Sequence, residues 1–216
     1  MLISFQEIYD VLLQNQIQIT GAFHVGAHEC EEMDFYQQLG LTPNNVIWID
    51  AIPSKVEEAQ NKGIVNVFHA LVTDKDDDEN VFNIANNGQS SSVLELGTHL
   101  QEHPHIYYQN QILLKTITID TFFKRTNIDV SKYNFWNFDI QGAELMALRG
   151  ARESIPYAKA IYLEVNEKEL YKNCGLIHEI DAFLSQYHFK RVLTNITEHG
   201  WGDALYIIDK SNCNLS

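Results

Sequence analysis

The sequence predicts an α/β protein: a doubly wound, mostly parallel sheet that ends in an antiparallel hairpin. Three observations carry that expectation. Short, wholly apolar runs recur along the chain and read as buried strands. Segments with helix-spaced apolar residues alternate with them, which implies parallel strands joined by right-handed crossovers. Several runs also end in a glycine or a carboxylate, where open α/β sheets keep their ligand sites.

Taken in order, Ile3, Ile8, Val11 and Leu12 recur at near-helical spacing, giving a leading helix through about Leu13 within an N-terminal segment, 1–19. Residues 20–25 form a first buried strand that breaks at Gly26. Residues 31–39 form a helix with Met33, Phe35, Tyr36 and Leu39 inward, stopped by Gly40 and followed by Pro43. Residues 45–49 give a second strand ending at Asp50, and Pro53 opens a helix to about Asn61. Residues 64–72 read as a third strand. A loop at 74–79 leads to an added strand at 81–85, and 112–119 is a further strand before a short helix at 120–125. The run 133–140 reaches Asp139 and breaks at Gly142, after which Ala143, Leu145, Met146, Leu148 and Ala151 suit a helix face. Residues 158–165 form another buried strand and 177–185 a helix, with 189–194 and 204–208 as the terminal hairpin. The whole reads as one Rossmann-like sheet in one domain, 1–216, with a polar, irregular, lid-like insertion at 86–111.

Composition narrows the partners. Hydrophobic residues make up 45% and charged residues 20%, ordinary for a globular protein. The net charge of −14 argues against a nucleic-acid partner and against adsorption to an anionic membrane. Residues 74–79 hold five carboxylates and one lysine, a solvated loop that accounts for part of that charge. Cys30, Cys174 and Cys213 cannot all pair and form no Cys-x-x-Cys, which suits a reducing compartment. With neither a signal peptide nor a membrane span in view, the expected location is cytoplasmic.

Chemistry is expected at the strand ends. The first reads Phe23-His24-Val25-Gly26-Ala27-His28-Glu29, in which Gly26 allows a sharp turn and Ala27 a close ligand approach. The second ends at Asp50-Ala51, and an acid about 20 positions after a glycine turn suits ribose hydroxyls. The third, around Leu71, is apolar enough to line an adenine, and Asp139 ends the fourth. One small-residue pair replaces the three-glycine turn that serves a pyrophosphate. Glu29, Glu31 and Glu32 crowd the next helix start and suit a helix dipole or a cationic ligand instead. S-adenosylmethionine, with a ribose, an adenine, a sulfonium and no phosphate, fits this set better than NAD. Taken alone, Asp139 reads equally as a helix cap, and Gly26 and Asp50 as turn residues.

Four segments together resemble the FkbM-type methyltransferases, a branch of the class I S-adenosylmethionine-dependent enzymes. They are Phe23-His24-Val25-Gly26-Ala27-His28, Val46-Ile47-Trp48-Ile49-Asp50-Ala51, Ser90-Ser91-Ser92-Val93-Leu94, and Asn137-Phe138-Asp139-Ile140-Gln141-Gly142-Ala143-Glu144 continuing to Leu148-Arg149-Gly150-Ala151. Ile161-Tyr162-Leu163-Glu164-Val165 and Gly202-Asp203-Ala204-Leu205-Tyr206 also fit, so the likeness spans about residues 20–208. It implies O-methyl transfer from S-adenosylmethionine to a hydroxyl of a sugar, glycan or glycosylated small molecule. Cofactor contacts then fall to His24, Gly26, Ala27, His28, Asp50, Ala51, Leu71, Asp139 and Gln141. The base candidates are Asp139, then Glu164, then His28, with contact to the cofactor's amino group an equal reading for Asp139. His24 and His28 stand where the family commonly has Asp and Asn, Asp50-Ala51 replaces Glu-Pro, and Gln141 replaces Glu. Glu144 is weighed beside Asp139 as a chemical group, with a helix-surface salt bridge to Arg149 or Arg152 the slightly favoured reading.

Other signals are weaker. His99 and His103 have the i, i+4 spacing of some zinc sites, but Pro104 interrupts a helix there, so no metal is expected and a polar lid over the acceptor is. Tyr107, Tyr108, Trp136 and Trp201 are stacking candidates for a sugar ring, Tyr107 and Tyr108 ahead of Trp136. No Gly-x-Ser-x-Gly elbow or Walker loop is present. Two alternatives stay open: a nicotinamide-dependent oxidoreductase on the same sheet, and a non-catalytic cofactor-binding relative suggested by Gln141.

Overall fold

The computed structural model describes residues 1–209. Its elements follow the expected alternation: α1 Phe5–Gln14, β1 Ala22–Val25, α2 Met33–Gln38, β2 Val46–Asp50, α3 Pro53–Asn61, β3 Val67–His69, β4 Leu71–Val72, β5 Glu79–Ala85, α4 His99–Glu102, β6 Tyr108–Ile117, α5 Ile119–Thr126, β7 Phe135–Phe138, α6 Glu144–Arg149, β8 Ala160–Asn166, α7 Ile177–Ser185, β9 Phe189–Ile196 and β10 Trp201–Ile208. The main sheet has seven strands in the order β3-β2-β1-β7-β8-β10-β9. Within it β3, β2, β1, β7 and β8 run parallel, and β10 inserts antiparallel between β8 and β9. The C-terminal hairpin is therefore present, with its second strand inside.

The two faces are covered as a doubly wound sheet requires. On one face α5, α6 and α7 contribute Phe122, Phe123, Leu145, Leu148, Ile180 and Leu184 to a core with Phe23, Trp136 and Phe138. On the other, α1, α2 and α3 pack Ile8, Leu12, Tyr36, Val56 and Ala59 against Trp48, Phe135 and Tyr162. Strands β1, β2, β7 and β8 are buried along their length because both faces are covered, which is why they read as unbroken apolar runs. At the start of α1, Ser4 and Glu7 form a reciprocal capping box.

Two expectations need correction. The third strand, expected over 64–72, is two strands in different sheets: β3 pairs with β2, while β4 pairs with β6 in a separate three-stranded sheet, β4-β6-β5. The step falls at Ala70, whose amide donates to the Asp50 carbonyl at 3.0 Å. Leu71 then packs with Ile52 and Phe82, a contact with β5 that one continuous strand could not make. The strand expected over 112–119 starts earlier, at Tyr108, and stops at Ile117, because Thr118 caps α5 by accepting from the Thr121 amide. Cys30 and Cys174 are free and buried; Cys213 lies outside the described residues. Among the described residues, no helix is long and apolar enough to cross a membrane.

Candidate active site

Strand order reverses between β1 and β7, and the crevice at such a switch point is where open α/β sheets bind ligands. Val25 pairs with Phe138, so the turns that follow lie side by side. Gly26 adopts φ +93°, and a Cβ there would sit 1.9 Å from the Asp139 carbonyl oxygen. Only glycine permits this approach. Beyond β7, Gln141 (φ +57°) and Gly142 (φ +93°) turn the chain left-handed into α6.

Two cavities open here. The first is a narrow, largely apolar slot lined by Ile49, Ile52, Leu71, Val72, Phe82 and Val93, with Asp50 and Ala51 on its wall. Both Asp50 carboxylate oxygens are fixed by backbone amides: Oδ2 accepts from His28 at 2.8 Å and Oδ1 from Ile52 at 2.7 Å. Each oxygen keeps a free lone pair, the acceptor a ribose diol needs. The second is a polar cleft of about 480 Å³ whose wall includes Glu31, Glu32, Gln141, Glu164 and Asp203, with His99, His103 and His105 also lining it. Gly26, His28, Gln89 and Asp139 line both cavities and mark where they meet.

Gln141 organises the junction. Its amide nitrogen donates to Asp139 Oδ1 at 2.6 Å and to Glu164 Oε2 at 3.0 Å, while its carbonyl accepts from the Tyr171 hydroxyl at 2.6 Å. A glutamate at 141 would set a third carboxylate between two others, whereas the glutamine amide donates to both. Asp139 is open to the cleft yet ringed by protein. Removal from water pushes its carboxyl up, with Asp203 and Glu32 adding repulsion against the hydrogen bond from Gln141. Burial raises Glu164 well above the carboxylate range, helped by Asp139, Glu144 and Asp203. Glu164 is 7% exposed and its Oε1 has no partner. Asp203 is engaged by the Tyr162 hydroxyl and the Leu2 amide.

The expected site residues separate into three groups. Gly26, His28, Asp50, Ala51, Leu71 and Asp139 line the slot, and Gln141 and Glu164 join His28 and Asp139 in the cleft. His24 and Ala27 line neither cavity. The His24 ring is 1% exposed beneath the sheet surface, its Nδ1 2.8 Å from the Tyr36 hydroxyl, which also accepts from Asn137 at 3.0 Å. Burial pushes His24 down to about 4, so the ring is neutral at pH 7 and part of the scaffold. Ala27 is 1% exposed, and its amide, like that of Gly26, donates to the Ile49 carbonyl.

Glu144 is not on a helix surface. It is 1% exposed, its Oε1 accepts from the Ile140 and Gly142 amides at 2.9 and 3.3 Å, and burial pushes its carboxyl up to about 8. Trp136 is fully buried in the core, Tyr107 and Tyr108 line neither cavity, and Trp201 does line the cleft. Phe82 and Gln89 line cavities although no sequence pattern marks them, and Ser91, Val93 and Asp203 do so from segments that carry only the family likeness. The Ser92 hydroxyl ties the serine-rich loop to Gln141 by donating to its backbone carbonyl at 2.8 Å. Among the described residues, no group of three or more His, Cys, Asp or Glu side chains is arranged to hold a metal ion.

A family model described as the methyltransferase FkbM domain matches residues 24–191. Similar solved structures include the magnesium protoporphyrin IX methyltransferase of Synechocystis PCC 6803 with bound S-adenosylmethionine, 12% identical with a TM-score of 0.45 over 95% of this chain and 78% of that one. A methyltransferase of Aquifex aeolicus that depends on S-adenosylmethionine is 12% identical, with a TM-score of 0.39 over 96% of this chain and 100% of that one. TrmK of M. capricolum, in complex with S-adenosylhomocysteine, is 9% identical, with a TM-score of 0.44 over 97% and 70%. No curated protein matches the chain.

Proposed function

The chain belongs to the FkbM methyltransferase family, which uses S-adenosylmethionine, and we propose that it methylates a hydroxyl of a sugar, glycan or glycosylated small molecule. The observation that carries this reading is the meeting of an apolar slot and a polar cleft at Gly26, His28, Gln89 and Asp139. Family membership also sets aside the nicotinamide-dependent alternative.

The slot fits the cofactor. Ile49, Ile52, Leu71, Val72 and Phe82 offer an adenine a dry surface, and the Asp50 carboxylate, held by two amides, offers acceptors to ribose hydroxyls. Bound there, S-adenosylmethionine would supply an electrophilic methyl carbon on a sulfonium, with a neutral thioether as the leaving group. The chain's own task is to position the acceptor and to take the proton that its hydroxyl loses. Asp139 is the base in this reading: it lines both cavities, and its raised carboxyl is a stronger proton acceptor than an ordinary aspartate. Gln141 holds one of its oxygens and leaves the other free for the hydroxyl. In the cleft, carboxylates, imidazoles and the Trp201 indole are the groups that bind polyols.

The test is to titrate the protein with S-adenosylhomocysteine and then assay labelled methyl transfer to a saccharide panel. Binding of the thioether with transfer to a hydroxyl supports the reading. Absence of binding removes it, and binding without transfer to any acceptor favours a non-catalytic relative.

A further inference from the structure

Gln141 stands between the two acids of the junction, and a residue that lines neither cavity holds it there. Its side-chain nitrogen carries two hydrogens, and both are engaged, one by Asp139 Oδ1 and one by Glu164 Oε2. The Ser92 hydroxyl and a left-handed backbone at φ +57° fix its main chain. What remains free is rotation of the amide, and the Tyr171 hydroxyl, 2.6 Å from the amide oxygen, sets that. Tyr171 is fully buried and packs with Leu96, Leu170 and Cys174. Burial pushes its hydroxyl up, so it keeps its proton and donates. The ring is seated against the turn itself, since a Cβ on Gly142 would lie 3.1 Å from the Tyr171 Cβ. Its other neighbours belong to the lid: Leu96 pairs antiparallel with Tyr171, and the His99 ring lies 5.5 Å from it.

Asp139 can take a proton only while it is ionised, and most of what faces it opposes that state. Glu164 on β8, Asp203 on β10, Glu144 on α6 and Glu32 ahead of α2 all disfavour its charge. The Gln141 amide favours it, with His24 on β1 acting the same way from beneath. The bond from Gln141 requires the amide nitrogen toward the acids and the amide oxygen away from them. Away from them the surroundings are apolar, so the oxygen rests there only because one hydroxyl receives it. Without that hydroxyl the oxygen is buried unpaired, and the amide gains by rotating. Turned over, it would present an acceptor to Asp139 and Glu164, an arrangement that holds a proton on the acids. Resting on the methyl-transfer reading above, we propose that Tyr171 is a positioning residue for the base: its hydroxyl locks the Gln141 amide with nitrogen toward Asp139 and Glu164, and so keeps Asp139 free to take the acceptor's proton. Through Leu96 and His99 the same residue ties this lock to the lid.

Tyr171→Phe removes one oxygen from a buried ring. Affinity for S-adenosylhomocysteine is expected to hold, because Tyr171 does not line the slot. The acid limb of kcat is expected about one pH unit higher, so that the rate on that limb falls about tenfold and returns as pH rises. A merely structural role would lower kcat by one factor at every pH, or lower the unfolding midpoint, and leave the limb in place. The Asp139 carboxyl is also read directly by carbon-13 NMR, its signal identified by its loss in Asp139→Asn. It is expected to titrate at higher pH in Tyr171→Phe and in Gln141→Met, and the double variant should shift it no further than Gln141→Met alone. An unmoved titration in Tyr171→Phe, or additive shifts in the double variant, would overturn the proposal. So would an unmoved titration in Gln141→Met, which decides the matter even if Tyr171→Phe does not fold. Failure of S-adenosylhomocysteine to bind would instead overturn the methyl-transfer reading, while the carboxyl titrations, which need neither cofactor nor acceptor, still decide whether Tyr171 governs Asp139.

Discussion

The slot and the cleft share four residues and differ in almost everything else. The slot takes its shape from the sheet: aliphatic side chains at the ends of β2 and β4, and the backbone amides of His28 and Ile52 that fix Asp50. The cleft is assembled from side chains far apart in sequence, including Leu2, Glu32, His99, Glu164 and Asp203, and its carboxyls push one another up. One region is a rigid mould whose contacts follow from core packing. The other is a charged surface with polar atoms still unpaired. The contrast suggests a division of labour, with the mould serving a constant ligand and the charged surface setting which acceptor enters.

The largest effect expected is at the junction. Asp139→Asn keeps size and the contact to Gln141 but removes the proton acceptor, so kcat should fall about 10²- to 10⁴-fold at saturating cofactor. Because its carboxyl is raised, the acid limb of wild-type activity should lie above the ordinary carboxylate range, near 4, and disappear from the residual activity of the variant. A variant that loses cofactor affinity while keeping kcat would make Asp139 part of the mould instead. Next comes His24, which belongs to neither cavity. Its folded-state value, about 4, lies below the unfolded 6.5, so the stability it contributes is present above pH 6.5 and lost as pH falls through about 4. That loss amounts to about 3 kcal/mol at most. His24→Gln cannot charge, so unfolding midpoints measured across this range should converge with those of the wild type as pH falls. Parallel curves would mean that His24 is accessible to protons and closer to the cleft than its packing implies.

The same contrast governs what could be read from the sequence. Strand ends that line the slot were legible because a buried parallel strand is a continuous apolar run, and the residue that breaks it marks the site: Gly26, Asp50 and Asp139 all followed from that rule. The bounds of α7, 177–185, were legible for the same reason of periodicity. The break at Ala70 was not, since residues 64–72 are uniformly compatible with strand and only pairing with β6 divides them. Nor was the burial of Glu144. Helical spacing puts it near Arg149, while the left-handed turn at Gln141 and Gly142 folds the Ile140 amide back onto its carboxylate. Asp203 and Trp201 reach the cleft because β10 inserts beside β8, a register that no local pattern encodes.

Glu144 gives the third prediction. Glu144→Ala strands the part-buried Ile140 and buried Gly142 amides and should cost about 2 kcal/mol in denaturant unfolding. Glu144→Gln keeps an acceptor for both. A raised acid stabilises the fold when protonated, and that contribution is lost as pH rises from the unfolded 4.5 through about 8. The Gln variant should therefore gain stability relative to wild type toward alkaline pH. A wild type whose stability does not decline over this window would mean that Glu144 ionises freely and that the junction carboxyls are less coupled than their burial requires.

The smallest effect tests the mould itself. Asp50 accepts two backbone amides with its two oxygens, and those bonds hold both the turn after β1 and the start of α3. Asp50→Asn keeps one carbonyl acceptor and turns the other oxygen into a donor that faces an amide hydrogen. The charge-assisted bond to a ribose hydroxyl is lost with it, and such a bond contributes about 1.5 kcal/mol. The dissociation constant for S-adenosylhomocysteine should rise about tenfold, while kcat at saturating cofactor should not move, because Asp50 lines the slot and not the cleft. If kcat fell with it, the two cavities would be coupled through the turn at His28, which lines both and whose amide Asp50 holds. The separation of roles between mould and charged surface would then have to be replaced by one site responding as a unit.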